Sequence, residues 1–202
     1  MSARHSTKLA LIATTCLIAL AAGGGALART PSQPDATSSA AALYNRVLQL
    51  GDLRGFWSVT CPVAVTTPSQ WAMHTGSAAS LSDNGFLNGL REPLRSSSPG
   101  TQGWSIVAQY RSAAGARRET DSELDRARTL GGAFSQFTVD DIPGSHGYSL
   151  PSGSTMRIAI SFTAGRFQYR LEITGAGRAD AATLRNRLTS AAVTLYDRAA
   201  AS

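Results

Sequence analysis

Four residues that could support hydrolysis lie in one short segment: Asp140, Asp141, Ser145 and His146. A hydrolase needs a nucleophile, a general base and an acid that orients the base, and these residue types commonly fill those roles. The segment lacks the strand, tight elbow and helix that expose the serine of a G-x-S-x-G motif. Since Pro143 and Gly144 are typical of a reverse turn, the pattern favours a turn over a catalytic triad.

The types of basic residue exclude several reaction classes. No lysine follows Lys8, so the rest of the chain cannot supply a Schiff-base lysine, a Ser-Lys dyad or a P-loop lysine. The histidines beyond residue 28 are His74 and His146, and His74 is interpreted as a loop residue. An exported hydrolase that uses Ser145 and His146 therefore stays as the alternative to a non-enzymatic binding domain.

Three arginines form the second group that could do chemistry: Arg157, Arg166 and Arg170. Guanidinium groups bind carboxylates and phosphates through paired hydrogen bonds. The alternation of the surrounding residues predicts that all three share the polar face of a β-hairpin with Glu172, which can pair with Arg157 across the strands. A water-facing sheet surface explains the same pattern. As the alternative to such a surface, we predict that these arginines bind an anionic ligand or an envelope component.

Other binding classes have little support in the sequence. No C-x-x-C, H-E-x-x-H or calcium-loop spacing occurs, so no metal site is predicted, and Gly175-Ala176-Gly177 is too short for a dinucleotide fingerprint, so no cofactor is predicted. Arginines and acids interleave over residues 117–126, which is typical of a solvated helix face and argues against nucleic-acid binding. Cys61 alternates with Trp57 and Val59 and is predicted to be a small buried residue, with an intermolecular bond or a reactive thiol as alternatives.

The first 28 residues are typical of a signal peptide. Arg4 and Lys8 precede an apolar run over residues 9–20, and Ala26-Leu27-Ala28 has the small-x-small pattern that signal peptidase cleaves. The run is shorter than the ~18 to 20 apolar residues that span a membrane. We therefore predict that residues 1–28 are removed, that the mature chain has no transmembrane segment, and that it is secreted or retained in the cell envelope.

Residues 29–39 are polar and rich in proline and serine, which predicts a flexible linker. Residues 40–202 are predicted to form a single domain. Residues 64–80 are predicted to be a loop with a short helix. Apolar periodicity predicts helices over 40–50, 82–94 and 112–129 and strands over 56–63 and 104–110.

The clearest pattern predicts a hairpin over residues 155–174, followed by a helix. Closing the strands about Ala164-Gly165 places an apolar residue opposite an apolar one at four successive pairs, which begin with Phe162 and Phe167. The helix is predicted to begin near Asp180 and to cover the apolar face of the hairpin with one stripe. That stripe comprises Leu184, Leu188, Ala191, Ala192 and Leu195.

These elements predict an α+β fold with an antiparallel sheet and helices packed mainly on one face. The runs at residues 103–117, 137–148 and 160–169 resemble exported actinobacterial proteins of unknown function, over roughly residues 44–198. The order of elements is similar to that of small exported lipoproteins with a fold like the PsbP and Mog1 families, and this resemblance implies an α/β sandwich used for binding. We therefore predict an exported, non-enzymatic domain that binds a ligand or partner at or outside the cell surface, with a structural envelope component as a further alternative.

Overall fold

The structure is a computed structural model of the 202-residue chain, and it describes residues 42–75, 77–130, 132–177 and 180–201. Residues 1–28, predicted as a signal peptide, and residues 29–39, predicted as a linker, lie outside the described residues. An antiparallel sheet with helices packed against it confirms the predicted α+β class. Within the described ranges, no helix is both long enough and apolar enough to cross a membrane.

The described residues contain an eight-stranded sheet in which neighbours pair in the order β1-β3-β4-β8-β7-β6-β5, and β2 also pairs with β3. The strands are β1 (Phe56–Ser58), β2 (Val63–Val65), β3 (Phe86–Ser96), β4 (Gln102–Tyr110), β5 (Ser135–Phe137), β6 (His146–Ser152), β7 (Thr155–Ala164) and β8 (Phe167–Ala176). The α-helices are α1 (Pro68–Thr75), α2 (Ala78–Asp83), α3 (Ala113–Thr129) and α4 (Ala181–Ala200). A 3-10 turn occupies Tyr44–Arg46.

The β7–β8 hairpin has the predicted faces but a different register. Its two-residue turn is Gly165-Arg166, one residue later than predicted, and Gly165 adopts the positive φ of 57° that glycine tolerates. Phe162 therefore lies opposite Tyr169, and the pairing is shifted by two residues along β8. Because side chains alternate with a period of two, this shift leaves the apolar residues together on one face.

Helix α4 covers the apolar face of this hairpin, as predicted. All five residues of its predicted stripe are buried, and they join the main core with the inward residues of β7 and β8. The Phe162 ring stacks on Tyr169 with 5.0 Å between centroids and meets Tyr196 of α4 edge-on at 5.8 Å. Each large apolar side chain buried here contributes about 1.5 to 3 kcal/mol. This layer is therefore a major source of stability.

The other face of the sheet, for which the sequence favoured a water-facing surface, is covered by α1, α2 and α3. The helix predicted over 112–129 is confirmed as α3, and Ser112 caps its first turn. Trp71 of α1 lies over Gly89 of β3, where a Cβ atom would come within 2.3 Å of the indole ring. The acidic run in α3 is not a solvated face, because Glu119 and Glu123 are only 2% and 5% exposed.

Residues 86–96 form strand β3, so the helix predicted over 82–94 is wrong. Leu90 and Leu94 are four residues apart, a spacing that fits one face of a strand as well as one face of a helix. Phe86 precedes an irregularity in the register and packs with Trp71 and Tyr110 in a second core cluster. Pro93 is tolerated because it falls between the stretches of β3 that pair with β1 and β2. Its carbonyl oxygen faces that gap and accepts a hydrogen bond from Val59 N at 3.4 Å, so the missing N–H removes no ladder bond.

The predictions for residues 40–63 are only partly confirmed. Leu43 and Val47 are buried, but the described chain forms one 3-10 turn rather than a helix, and Leu50 is 89% exposed. The single strand predicted over 56–63 is divided into β1 and β2, and the face predicted to be buried is exposed. Phe56 is buried, whereas the face predicted to be inside is exposed: Trp57, Val59, Cys61 and Val63.

Candidate ligand-binding site

A cavity of about 320 Å³ lies between the N-terminal segment (residues 43–53), β1 and β3. We refer to it as the N-terminal cavity. Its walls are mostly apolar and include Leu48, Leu53, Phe56 and Leu94. The volume is at the lower end of the roughly 300 to 1,000 Å³ found for small-molecule sites. The cavity is therefore large enough for a small organic molecule.

Contacts from distant parts of the fold hold the N-terminal segment in place over the sheet. Leu48 N donates a hydrogen bond to Ser105 Oγ of β4 at 2.9 Å. Arg198, near the end of α4, donates to Val47 O at 3.2 Å and pairs with Asp52 at 2.6 Å. These contacts fix the walls of the cavity to the sheet and to α4.

Glu92 is the polar side chain that distinguishes this cavity. It lies on β3 between Leu90 and Leu94, on the face that otherwise joins the main core, and it is 8% exposed. Its Oε2 atom is buried and has no hydrogen-bond partner. Burial raises the pKa of the Glu92 carboxyl, the Ser58 hydroxyl opposes that rise, and the Asp52 carboxylate adds to it. A buried acceptor without a partner costs free energy that a bound donor can recover.

Exposed apolar and aromatic residues contribute to the lining of the cavity. Leu50 is 89% exposed, Trp57 43% and Tyr44 40%, and all three contribute to the lining. Large apolar side chains that gather at a concave site, rather than scatter over a surface, are typical of an interaction site. An apolar cavity with one convergent polar group can bind a small molecule and fix its orientation.

Sequence reasoning missed Glu92 because residues 82–94 were assigned to a helix. In a strand, Leu90, Glu92 and Leu94 share one face, and an acid between two core leucines would have indicated a functional site. The exposure of Trp57 was missed because the sequence pattern placed this residue on the buried face of its strand.

On the opposite face of the sheet, acids from α3 meet arginine from β8. We call Glu119, Glu123, Arg170 and Glu172 the buried cluster; each is less than 10% exposed. Both oxygens of Glu123 have partners: Ser161 Oγ donates to one at 2.9 Å and Gln168 Nε2 to the other at 3.1 Å. Burial raises the pKa of Glu123, and the Arg170 guanidinium opposes this rise from 3.2 Å.

The structure does not bring the three predicted anion-binding arginines together on an open surface. Arg170 is buried and is ion-paired with both Glu123 and Glu172. Arg157 is 37% exposed at its side chain and pairs with Glu172 at 3.4 Å. Arg166 lies in the exposed β7–β8 turn, near the Phe167 ring. Their role in binding an anion stays a prediction.

Ser145 and His146 point to different surroundings. The Ser145 hydroxyl is buried, donates to Val139 O at 3.2 Å and accepts from Val139 N at 3.0 Å, so it braces the loop before β6. Its single proton is thus engaged with the backbone. His146 instead pairs with Asp121 of α3 at 2.9 Å, beside an open groove of about 540 Å³. Neither Asp140 nor Asp141 takes part in this pair.

Among the residues that the structure describes, no group of three or more histidine, cysteine or carboxylate side chains is placed to hold a metal ion.

No family model matches the chain. No curated protein matches it significantly, so the resemblance to PsbP and Mog1 proteins stays a prediction. Among solved structures, the extracellular domain of PknH from Mycobacterium tuberculosis superposes with a TM-score of 0.48 and 11% sequence identity, covering 82% of this chain and 98% of that domain. Similarity at this level does not establish a shared function.

Proposed function

We propose that the chain is an exported, non-enzymatic domain that binds a small, largely apolar molecule in the N-terminal cavity, at or outside the cell surface. Export is supported by the basic, apolar and small-residue pattern of residues 1–28. Binding is supported by one observation above all. The cavity wall holds a buried carboxylate, Glu92, whose Oε2 atom has no partner in a mostly apolar site.

The groove beside His146 supports a ligand site less well. It is larger, but its histidine and aspartate already satisfy each other, and no unpartnered buried group faces it among the described residues. The Ser145 hydroxyl, which the alternative hydrolase would need as a nucleophile, is engaged by Val139. The proposal therefore rests on the N-terminal cavity and not on this groove.

Titration of the purified protein with N-phenyl-1-naphthylamine, a neutral apolar dye that fluoresces in apolar sites, tests this function. We expect saturable binding to one site. Leu50→Asp places a charge at the exposed mouth of the cavity and should weaken dye binding several-fold without unfolding the protein, because Leu50 is 89% exposed.

Leu130→Asp is the matched control, since Leu130 is also exposed, at 61%, but caps α3 away from the cavity. This variant should bind the dye as the parent protein does. Absence of saturable binding, or equal weakening by both substitutions, would contradict the proposed function.

A further inference from the structure

The charge distribution around the N-terminal cavity limits which ligand can bind. Glu92 is the charged side chain among the residues that the structure shows lining it, and no arginine or histidine contributes to that lining. The nearest other acid, Asp52, adds negative potential at Glu92 but is itself paired with Arg198 at 2.6 Å and accepts from Gln49 N at 2.6 Å. An anionic ligand would therefore meet an unshielded carboxylate.

A carboxylate with a free oxygen accepts hydrogen bonds, and charged donors bind it about twice as strongly as neutral ones. Tyr44 also contributes to the lining, and aromatic faces attract organic cations. The leucine side chains of the walls, including Leu48, Leu53 and Leu94, offer no polar partner and suit a hydrocarbon group. These three properties describe one ligand chemistry.

We propose that the ligand is an organic cation, a protonated amine with an apolar chain, in which an N–H of the amine donates to Glu92 Oε2. The apolar chain packs against the leucines of the cavity wall. This inference rests on the proposed function, because it names the ligand class of the same cavity. Glu92 acts as the residue that selects among apolar molecules of equal size.

Competition against bound N-phenyl-1-naphthylamine separates head-group chemistry from apolar binding. At pH 8 the competitors are n-octylamine, n-octanol and octanoate, which share a chain length and differ in charge. We expect octylamine to compete about tenfold more strongly than octanol, since a charged hydrogen bond adds roughly this factor, and octanoate to compete least. Equal competition by the amine and the alcohol, or strongest competition by octanoate, would overturn the inference.

Glu92→Gln keeps the shape of the side chain and removes its charge. In this variant the advantage of octylamine over octanol should disappear. Asp125→Asn, an exposed acid on α3, is the matched control and should leave the order of the competitors unchanged. A retained amine preference in Glu92→Gln would overturn the inference.

The two failures are distinguishable. If the dye does not bind at all, the proposed function fails. If the dye and octanol bind and Glu92 makes no difference to the amine, the inference alone fails.

Discussion

Two buried glutamates lie against opposite faces of the same sheet, and they differ in how their charge is met. Glu123 of α3 has a donor at each oxygen and an arginine, Arg170, at 3.2 Å. Glu92 of β3 is almost equally buried, yet its Oε2 atom has no partner and faces a cavity. A buried carboxylate whose two oxygens both accept hydrogen bonds fixes a core, whereas a carboxylate oxygen left without a donor in a cavity indicates a site for a ligand. The comparison gives Glu123 a structural role and leaves Glu92 as the group that supports the proposed binding.

The largest expected effect comes from Arg170→Met. This substitution leaves Glu123 and Glu172 buried without their cation, and breaking a buried pair in this way costs about 3 to 5 kcal/mol. Denaturant unfolding should show the loss. Arg157→Met is the matched control from the same hairpin face. Its side chain is 37% exposed, so its pair with Glu172 should contribute less than about 1 kcal/mol.

Equal effects of the two substitutions would remove the distinction between a buried cluster and a surface pair. They would also mean that Arg170 is not needed to neutralise the acids of α3.

An intermediate effect is expected from Glu92→Gln, and it should depend on pH. The pKa of Glu92 is raised in the folded protein by burial, so the folded state keeps the proton to a higher pH than the unfolded chain does. Its contribution to stability therefore falls as the pH rises from the ordinary glutamate value through the raised pKa. Glu92→Gln should be about 1 kcal/mol more stable than the parent at pH 8, and the difference should vanish near pH 4.5.

Unfolding free energies of both proteins between pH 4.5 and 8 measure this difference. A variant that is less stable than the parent at pH 8 would show that Glu92 already has a satisfactory partner, and the contrast with Glu123 would be lost.

The sequence predicted those parts of the fold in which periodicity and length agree. Helix α4 and the faces of the β7–β8 hairpin have long apolar stripes with a single period, so the prediction did not depend on the register. The register was missed because a shift of two residues preserves every face. For β3, a four-residue apolar spacing fits both helix and strand, and only the pairing with β4 decides between them.

The burial of Glu92 and of Glu123 could not be predicted from local sequence patterns. The acids of α3 alternate with arginines as on a solvated helix, and their burial depends on Arg170, 47 residues away from Glu123 along the chain. Glu92 was missed because the apolar residues around it were read with the period of a helix instead of that of a strand. Long-range pairing of charge therefore limits what a single sequence shows about this site.

The smallest expected effect tests the anion-binding prediction for Arg157, Arg166 and Arg170. Arg170 is unsuitable for this test, because its substitution also breaks the buried cluster. Arg166 is exposed in a turn, so Arg166→Ala should change the free energy of unfolding by less than about 0.5 kcal/mol. We expect this variant to elute from a phosphate-bearing cation-exchange matrix at the same salt concentration as Arg54→Ala, a control that removes another exposed arginine.

The physical reason is that Glu172 and Glu123 neutralise Arg157 and Arg170. Of the three arginines, this leaves Arg166 facing solvent without an acid that the structure pairs with it. A single exposed guanidinium binds a phosphate no better than any other. Earlier elution of Arg166→Ala than of Arg54→Ala would instead show that the three arginines act together. In that case the hairpin face, and not the N-terminal cavity alone, would take part in binding.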